Sequence, residues 1–335
     1  MSVGSASGRL LIVSTLFFFL IPSLIYGQKP AENDGDIIPA DLFEFATVEQ
    51  GRAVLSQPDQ FSNRLSPFDC CVRLGATEDP GVQAVLNFAA SQVVSWTQQD
   101  RMVIENAISE IAPILKTLRL PLDAPIQLIK TTGKEEGGAA YTRGDAIIFP
   151  AAKLGNVKNP PARLLAHELF HVISRADEKL RDDLYALIGF KRVQNIELPA
   201  DLDAIRITNP DAPRMEHVMK VVITKNQETF ITPFLYSNRG FDRDEPNLFA
   251  YLNFRLLEVA ENSSGQWEPV LQDGEVIYHE PSLSDFRRQI SNNTQYIIHP
   301  EEIIADNFAI WLTHASAKDV ALIESIERVM NGARN

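Results

Sequence analysis

His167-Glu168-Leu169-Phe170-His171 lies inside an apolar run that begins at Leu164-Leu165-Ala166 and continues through Val172-Ile173. Its two histidines are four residues apart, so on a helix both imidazoles leave one face about a turn from each other and can reach a single metal ion. Glu168 sits beside the first histidine, where it can take a proton from water that the metal activates. The pentapeptide predicts a zinc-dependent hydrolase and therefore a fold that presents this helix to a third ligand.

Reading outward, Pro160-Pro161 marks the entrance of a helix predicted over 162–175. Two short strands precede it, 126–130 and 146–149, joined across a glycine-rich, charged connection at 133–145. A strand edge beside a metal helix can bind an extended peptide as an added strand. Upstream, 81–97 and 98–118 carry apolar residues at helical spacing, and Val103, Ala107, Ile108, Ile111, Ile114, Leu115 and Leu118 form one broad stripe. The pattern changes at Leu120-Pro121-Leu122. Downstream come a charged helix near 177–187, a loop through 209–213, and β-prone segments at 218–224, 229–235, 248–259 and 275–278. The spacing of 248–259 also suits a helix. Two helices, about 300–313 and 318–331, close the chain. The expected class is α+β: a helical N-terminal region (37–120), then a catalytic domain (121–335) with a small mixed or antiparallel sheet before the metal helix and helices at its C-terminal end.

A catalytic zinc usually takes three protein ligands and keeps one position open for water, so one more ligand is required. Glu302 is the choice. It lies in His299-Pro300-Glu301-Glu302-Ile303-Ile304-Ala305-Asp306, where Pro300 suits a first helical turn and Ile303, Ile304, Phe308 and Ile310 supply buried sides. Asp306 follows by four residues on the same face, where it can accept the second ring N–H of a ligand histidine. The rivals are Glu301, whose partner one turn on is Ala305, and the histidines His217, His279 and His299.

These residues resemble the gluzincin class of zinc metallopeptidases, in which an HExxH helix is completed by a glutamate on a later helix carrying ExxxD or a similar pattern. The resemblance implies a zincin-like fold, with His167, His171 and Glu302 as Zn2+ ligands, Glu168 as general base and Asp306 behind a ligand histidine. It covers two short segments, and their long separation requires an insertion of sheet between the helices. Residues 167–177 also resemble the metzincin pattern HExxHxxGxxH with Asp177 as last ligand, although Ser174 stands where that pattern has glycine. For the oxyanion of peptide hydrolysis, Tyr296 and His299 lie just before the Glu302 helix, and Tyr278-His279 is a second pair.

The ends and the composition bound the setting. Arg9 is the only charged side chain in the first 28 residues, and the apolar run 10–25, broken by Pro22 and followed by Tyr26-Gly27, reads as a signal peptide (1–27) cleaved after Gly27. A polar leader (28–36) follows. The expected destination is secreted or periplasmic, with no stable membrane insertion after cleavage. A net charge of −13 argues against nucleic acid as a partner, and 45% hydrophobic residues suffices for an ordinary core. The two cysteines, Cys70 and Cys71, are adjacent, so they close no long loop and read best as buried thiols.

The function expected from these readings is zinc-dependent hydrolysis of peptide bonds in a peptide or protein substrate, by an endopeptidase. The alternatives are a metallopeptidase-like scaffold without turnover, which the presence of Glu168 argues against, and a zinc hydrolase of a non-peptide bond.

Overall fold

The computed structural model describes residues 42–332 apart from 123, 156–160 and 226. The expected signal segment, the leader and Pro160 lie outside the described residues. The chain begins with β1 (Phe43–Phe45), α1 (Val48–Ser56), α2 (Pro67–Leu74), α3 (Val82–Ser91) and α4 (Gln98–Leu115). Next come β2 (Ile126–Thr131), β3 (Tyr141–Arg143), β4 (Ala146–Pro150), α5 (Ala151–Leu154) and α6 (Pro161–Ala176). The middle holds α7 (Glu178–Ala186), β5 (Phe190–Arg192), α8 (Ala200–Ala204), β6 (His217–Thr224), β7 (Gln227–Tyr236) and β8 (Asn253–Glu261). Four short strands follow: β9 (Trp267–Pro269), β10 (Leu271–Gln272), β11 (Glu275–Val276) and β12 (Tyr278–His279). Helices α9 (Ser284–Gln289), α10 (Pro300–Leu312) and α11 (Val320–Gly332) complete it. The class is α+β.

Local chemistry sets the N-terminal helix boundaries. Ser66 and Asp69 exchange hydrogen bonds as a capping box at the start of α2, Pro67 fills its first turn, and Gly75 ends it at φ 64°. Thr97 and Asp100 do the same for α4. The region is not purely helical, however. β1 runs parallel to β2, making the first sheet β1-β2-β4-β3 with β2 and β4 parallel and β3 antiparallel to β4. β3 itself falls inside the connection expected to be loop. It forms because Gly144, at φ 53°, lets the chain turn back so that Tyr141 and Thr142 face Ile148 and Ile147 across the pair. Phe43 of β1 and Ile104, Ile111 and Leu115 of α4 share one core with Leu165 and Leu169 of α6, so packing is continuous across Leu120.

The second sheet is the antiparallel insertion between the two proposed ligand helices. Its order is β12-β8-β7-β6-β5, with β9 also paired to β8. Segment 248–259 is a strand only from Asn253, after a short 3-10 turn at Leu248–Ala250. Pairing with β7 along one side and with β12 and β9 along the other overrides its helical spacing.

α6 packs on β3 and β4 and against α4 and α10. Ala162, Leu165, Ala166, Leu169, Phe170 and Ile173 are all buried at intervals of three, four and three residues, which is the helical stripe that the sequence displays. Full burial of Leu169 and Phe170 stabilises the fold by roughly 1.5–3 kcal/mol each. α10 is buried almost all round, including Glu301 and Glu302 in its first turn, where the helix dipole favours negative charge. Among the described residues no helix is long and apolar enough to cross a membrane. Cys70 and Cys71 are free thiols on α2; Cys70 is fully buried, and burial, with Asp79 and Asp69 nearby, pushes its pKa up to about 12.

Candidate metal centre

Helices α6 and α10 bring His167, His171 and Glu302 together, with one donor atom from each inside a mutual distance of 4.8 Å. Glu302 Oε2 lies 3.0 Å from His167 Nε2 and 3.6 Å from His171 Nε2. Ligands about 2.1 Å from a tetrahedral ion stand roughly 3.4 Å apart, and the two separations bracket that value.

The remaining ring nitrogens are occupied by carboxylates that orient them. His167 Nδ1 is 3.0 Å from Asp306 Oδ1, and Thr294 Oγ1 donates to the other Asp306 oxygen. His171 Nδ1 is 2.8 Å from Glu301 Oε1, which also accepts from Ser174 Oγ at 2.5 Å, while Tyr185 OH donates to Glu301 Oε2. A proton held on each Nδ1 by its carboxylate turns the Nε2 lone pair toward Glu302, the tautomer that a metal-ligating histidine needs. Asn209 Nδ2 donates to Glu302 Oε1 at 2.5 Å, which leaves Oε2 facing the histidines.

Two buried atoms in this gap have no hydrogen-bond partner: His171 Nε2 and Glu168 Oε2. His171 is 1% exposed and Glu168 3%, so neither atom is rescued by bulk water, and an unmet buried polar group costs about 1–3 kcal/mol. A cation and its water satisfy both at once; the residues fit a metal ion. The charges point the same way. Burial opposes charge on every member, yet the histidines hold Glu302 down to about 2, and the carboxylates around His171, with Asp211 and Glu302 foremost, raise it to about 9. Burial first, then Asp211, lifts Glu168 to about 8. Without a cation the site gathers protons to balance its carboxylates.

The other residues singled out from the sequence fall as follows. Tyr296 lies beside the site, its ring 6.2 Å from that of His167 and 45% exposed. His299 caps α10: its Nδ1 accepts from Glu301 N at 3.1 Å, and burial depresses its pKa to about 3, which keeps that lone pair free to accept. Asp177 caps α7 by accepting from Leu180 N at 2.9 Å. His217 pairs with Asp182 and His279 with Glu258, while Tyr278 stacks on Tyr236 in the second sheet. Neither Asp177, His217 nor His279 belongs to the metal group.

Sequence reasoning missed the orienting role of Glu301, which it weighed only as a rival ligand, and missed Asn209, Asp211, Tyr185 and Thr142. The one local signal was Ser174, three residues beyond His171 and so on the same helical face. A second grouping joins Glu168, His171 and Asp211, their ligand atoms again within 4.8 Å of one another.

Residues 131–179 match the family model of the eCIS core domain, a domain found in some zincin-like metallopeptidase-like proteins. The matched stretch runs from the end of β2 into α7 and includes His167, Glu168 and His171; it ends far short of Glu302. No curated protein and no solved structure matches the chain.

Proposed function

We propose that this chain is an exported zinc-dependent peptidase of the zincin type, with His167, His171 and Glu302 holding the metal and Glu168 serving as general base. The observation that carries the reading is the pair of unpartnered buried atoms, His171 Nε2 and Glu168 Oε2, facing one gap beside Glu302. A zinc ion there would polarise the scissile carbonyl and make an attacking water acidic near neutral pH.

The chain's own groups do the rest. Glu168 Oε2, buried and without a partner, takes the proton of the attacking water and passes it to the leaving amine. Asp306 and Glu301 keep the two imidazoles in one tautomer and orientation throughout. Tyr296, the exposed polar aromatic nearest to His167, is placed to donate its hydroxyl to the developing oxyanion. β3 is the edge strand of the first sheet and packs against α6, so an extended peptide added along it passes over the metal helix.

The test is metal analysis and casein hydrolysis on the purified mature chain beside Glu168→Gln. The expected result is about one zinc per chain in both, with activity in the variant reduced ~10²–10⁴-fold. A wild-type chain that takes up no zinc, or a fully active Glu168→Gln, overturns the reading.

A further inference from the structure

We infer that Asp211 is a fourth protein ligand that closes the metal site of the resting chain, and that the segment carrying it must lift before a peptide can bind. The inference rests on the proposed zinc site and adds its regulation.

Residues 206–214 cross from α8 to β6 and pass over the mouth of the α6–α10 gap. They are tied down at their start. Thr208 N and Oγ1 donate to Asp69, Arg73 Nη2 donates to Thr208 O at 3.0 Å, and Arg206 Nη2 donates to Arg64 O at 2.5 Å. From that anchor Asn209 reaches Glu302, and its own Oδ1 accepts from Asp211 N at 3.0 Å, fixing the turn that points Asp211 inward. Asp211 Oδ1 accepts from both Thr142 N (2.7 Å) and Thr142 Oγ1 (2.6 Å). Those two bonds occupy one oxygen and leave the carboxylate's second for the gap.

What lies in the gap argues for a ligand. Asp211 stands within ligand distance of His171 and Glu168, and the unpartnered Nε2 and Oε2 atoms are theirs. A third carboxylate brought beside Glu168 and Glu302 adds repulsion in a poorly solvated site, which a divalent cation between them removes. Three protein ligands leave a zinc open to water, whereas four are the mark of a closed site. With Asp211 engaged, this site is closed.

The same carboxylate also blocks the proposed peptide path. Thr142 lies on the edge strand β3, and the backbone N–H that Asp211 takes is a donor that an added strand would use. One movement of the segment therefore opens both the metal and the sheet edge. Beyond Thr208 the segment is less firmly backed, with a cavity of about 30 Å³ on each side, lined by Ala212, Pro213 and Arg214 in both cases.

The experiment compares the full mature chain with Asp211→Asn and Thr142→Val. Asparagine keeps an acceptor for Thr142 and removes the anionic ligand; valine removes one of the two bonds holding Asp211. Zinc release to a chelator and the visible spectrum of the cobalt-substituted protein are read together with casein hydrolysis. Asp211→Asn should release zinc at least about tenfold faster, alter the cobalt spectrum and hydrolyse casein faster, with Thr142→Val shifted the same way by less. Unchanged release and spectrum in Asp211→Asn overturn the inference while zinc in the wild type leaves the peptidase reading standing. If Asp211→Asn does not fold, Thr142→Val decides by the same two readouts. A wild type without zinc removes both.

Discussion

Two networks of buried charge lie on either side of the segment 206–211, and they differ in one respect. Around Arg73 every donor is used: Nη1 to Asp69, Nε and Nη2 to Glu136, and Nη2 again to Thr208 O. Asp69 in turn accepts from Ser66, Thr208 and Arg73. Between α6 and α10 an equally dense network leaves His171 Nε2 and Glu168 Oε2 without partners. Both networks carry the cost of burying charge, which hydrogen bonds and opposite charges offset. The network that closes on itself serves the architecture. The one that stays open is poised for an ion, a water and a substrate.

The contrast predicts opposite responses to mutation. Glu302→Ala should abolish metal retention through gel filtration, measured by elemental analysis, with the fold intact by circular dichroism; a variant that keeps its zinc would break the ligand assignment. Arg73→Met leaves Asp69 and Glu136 buried and unpaired, so it should cost about 3–5 kcal/mol in urea denaturation while the folded fraction still binds zinc. If Arg73→Met instead released metal at full stability, the two networks would be one.

Two smaller effects sharpen the comparison. Glu301→Gln keeps the shape but weakens the acceptor for His171 Nδ1, and should lower zinc affinity about 10–100-fold in a competition titration. Asp177→Ala should leave metal content unchanged and cost about 1 kcal/mol, as loss of a helix N-cap does. Zinc lost on that substitution would revive Asp177 as a ligand.

Much of the frame was legible because periodicity is local. The stripe of α6, the burial of α10 around Ile303, Ile304 and Phe308, and the strands β2 and β4 are written in spacings of two or of three and four residues. Glu302 and Asp306 were legible because a four-residue interval on a helix is a geometric statement about two ligands and one metal. β1 and β3 were not. Each is three residues long, too short for its alternation to stand out, and each exists because a neighbouring strand supplies its hydrogen bonds. Segment 248–259 was ambiguous for the same reason, with pairing partners on both sides deciding it.

By itself, then, the sequence determined the helix that carries His167, Glu168 and His171, the later helix that carries Glu302 and Asp306, and the acidic balance of the chain. Only the tertiary structure decided that Glu301 orients His171, that Asn209 holds Glu302, and that Asp211 enters the gap while bonded to the edge of β3. The physical reason is distance along the chain. Helix-borne ligands are spaced by the 3.6-residue turn, whereas the groups that orient and cover them arrive from loops whose paths are set by contacts with Asp69, Arg73 and Thr142, far away in sequence.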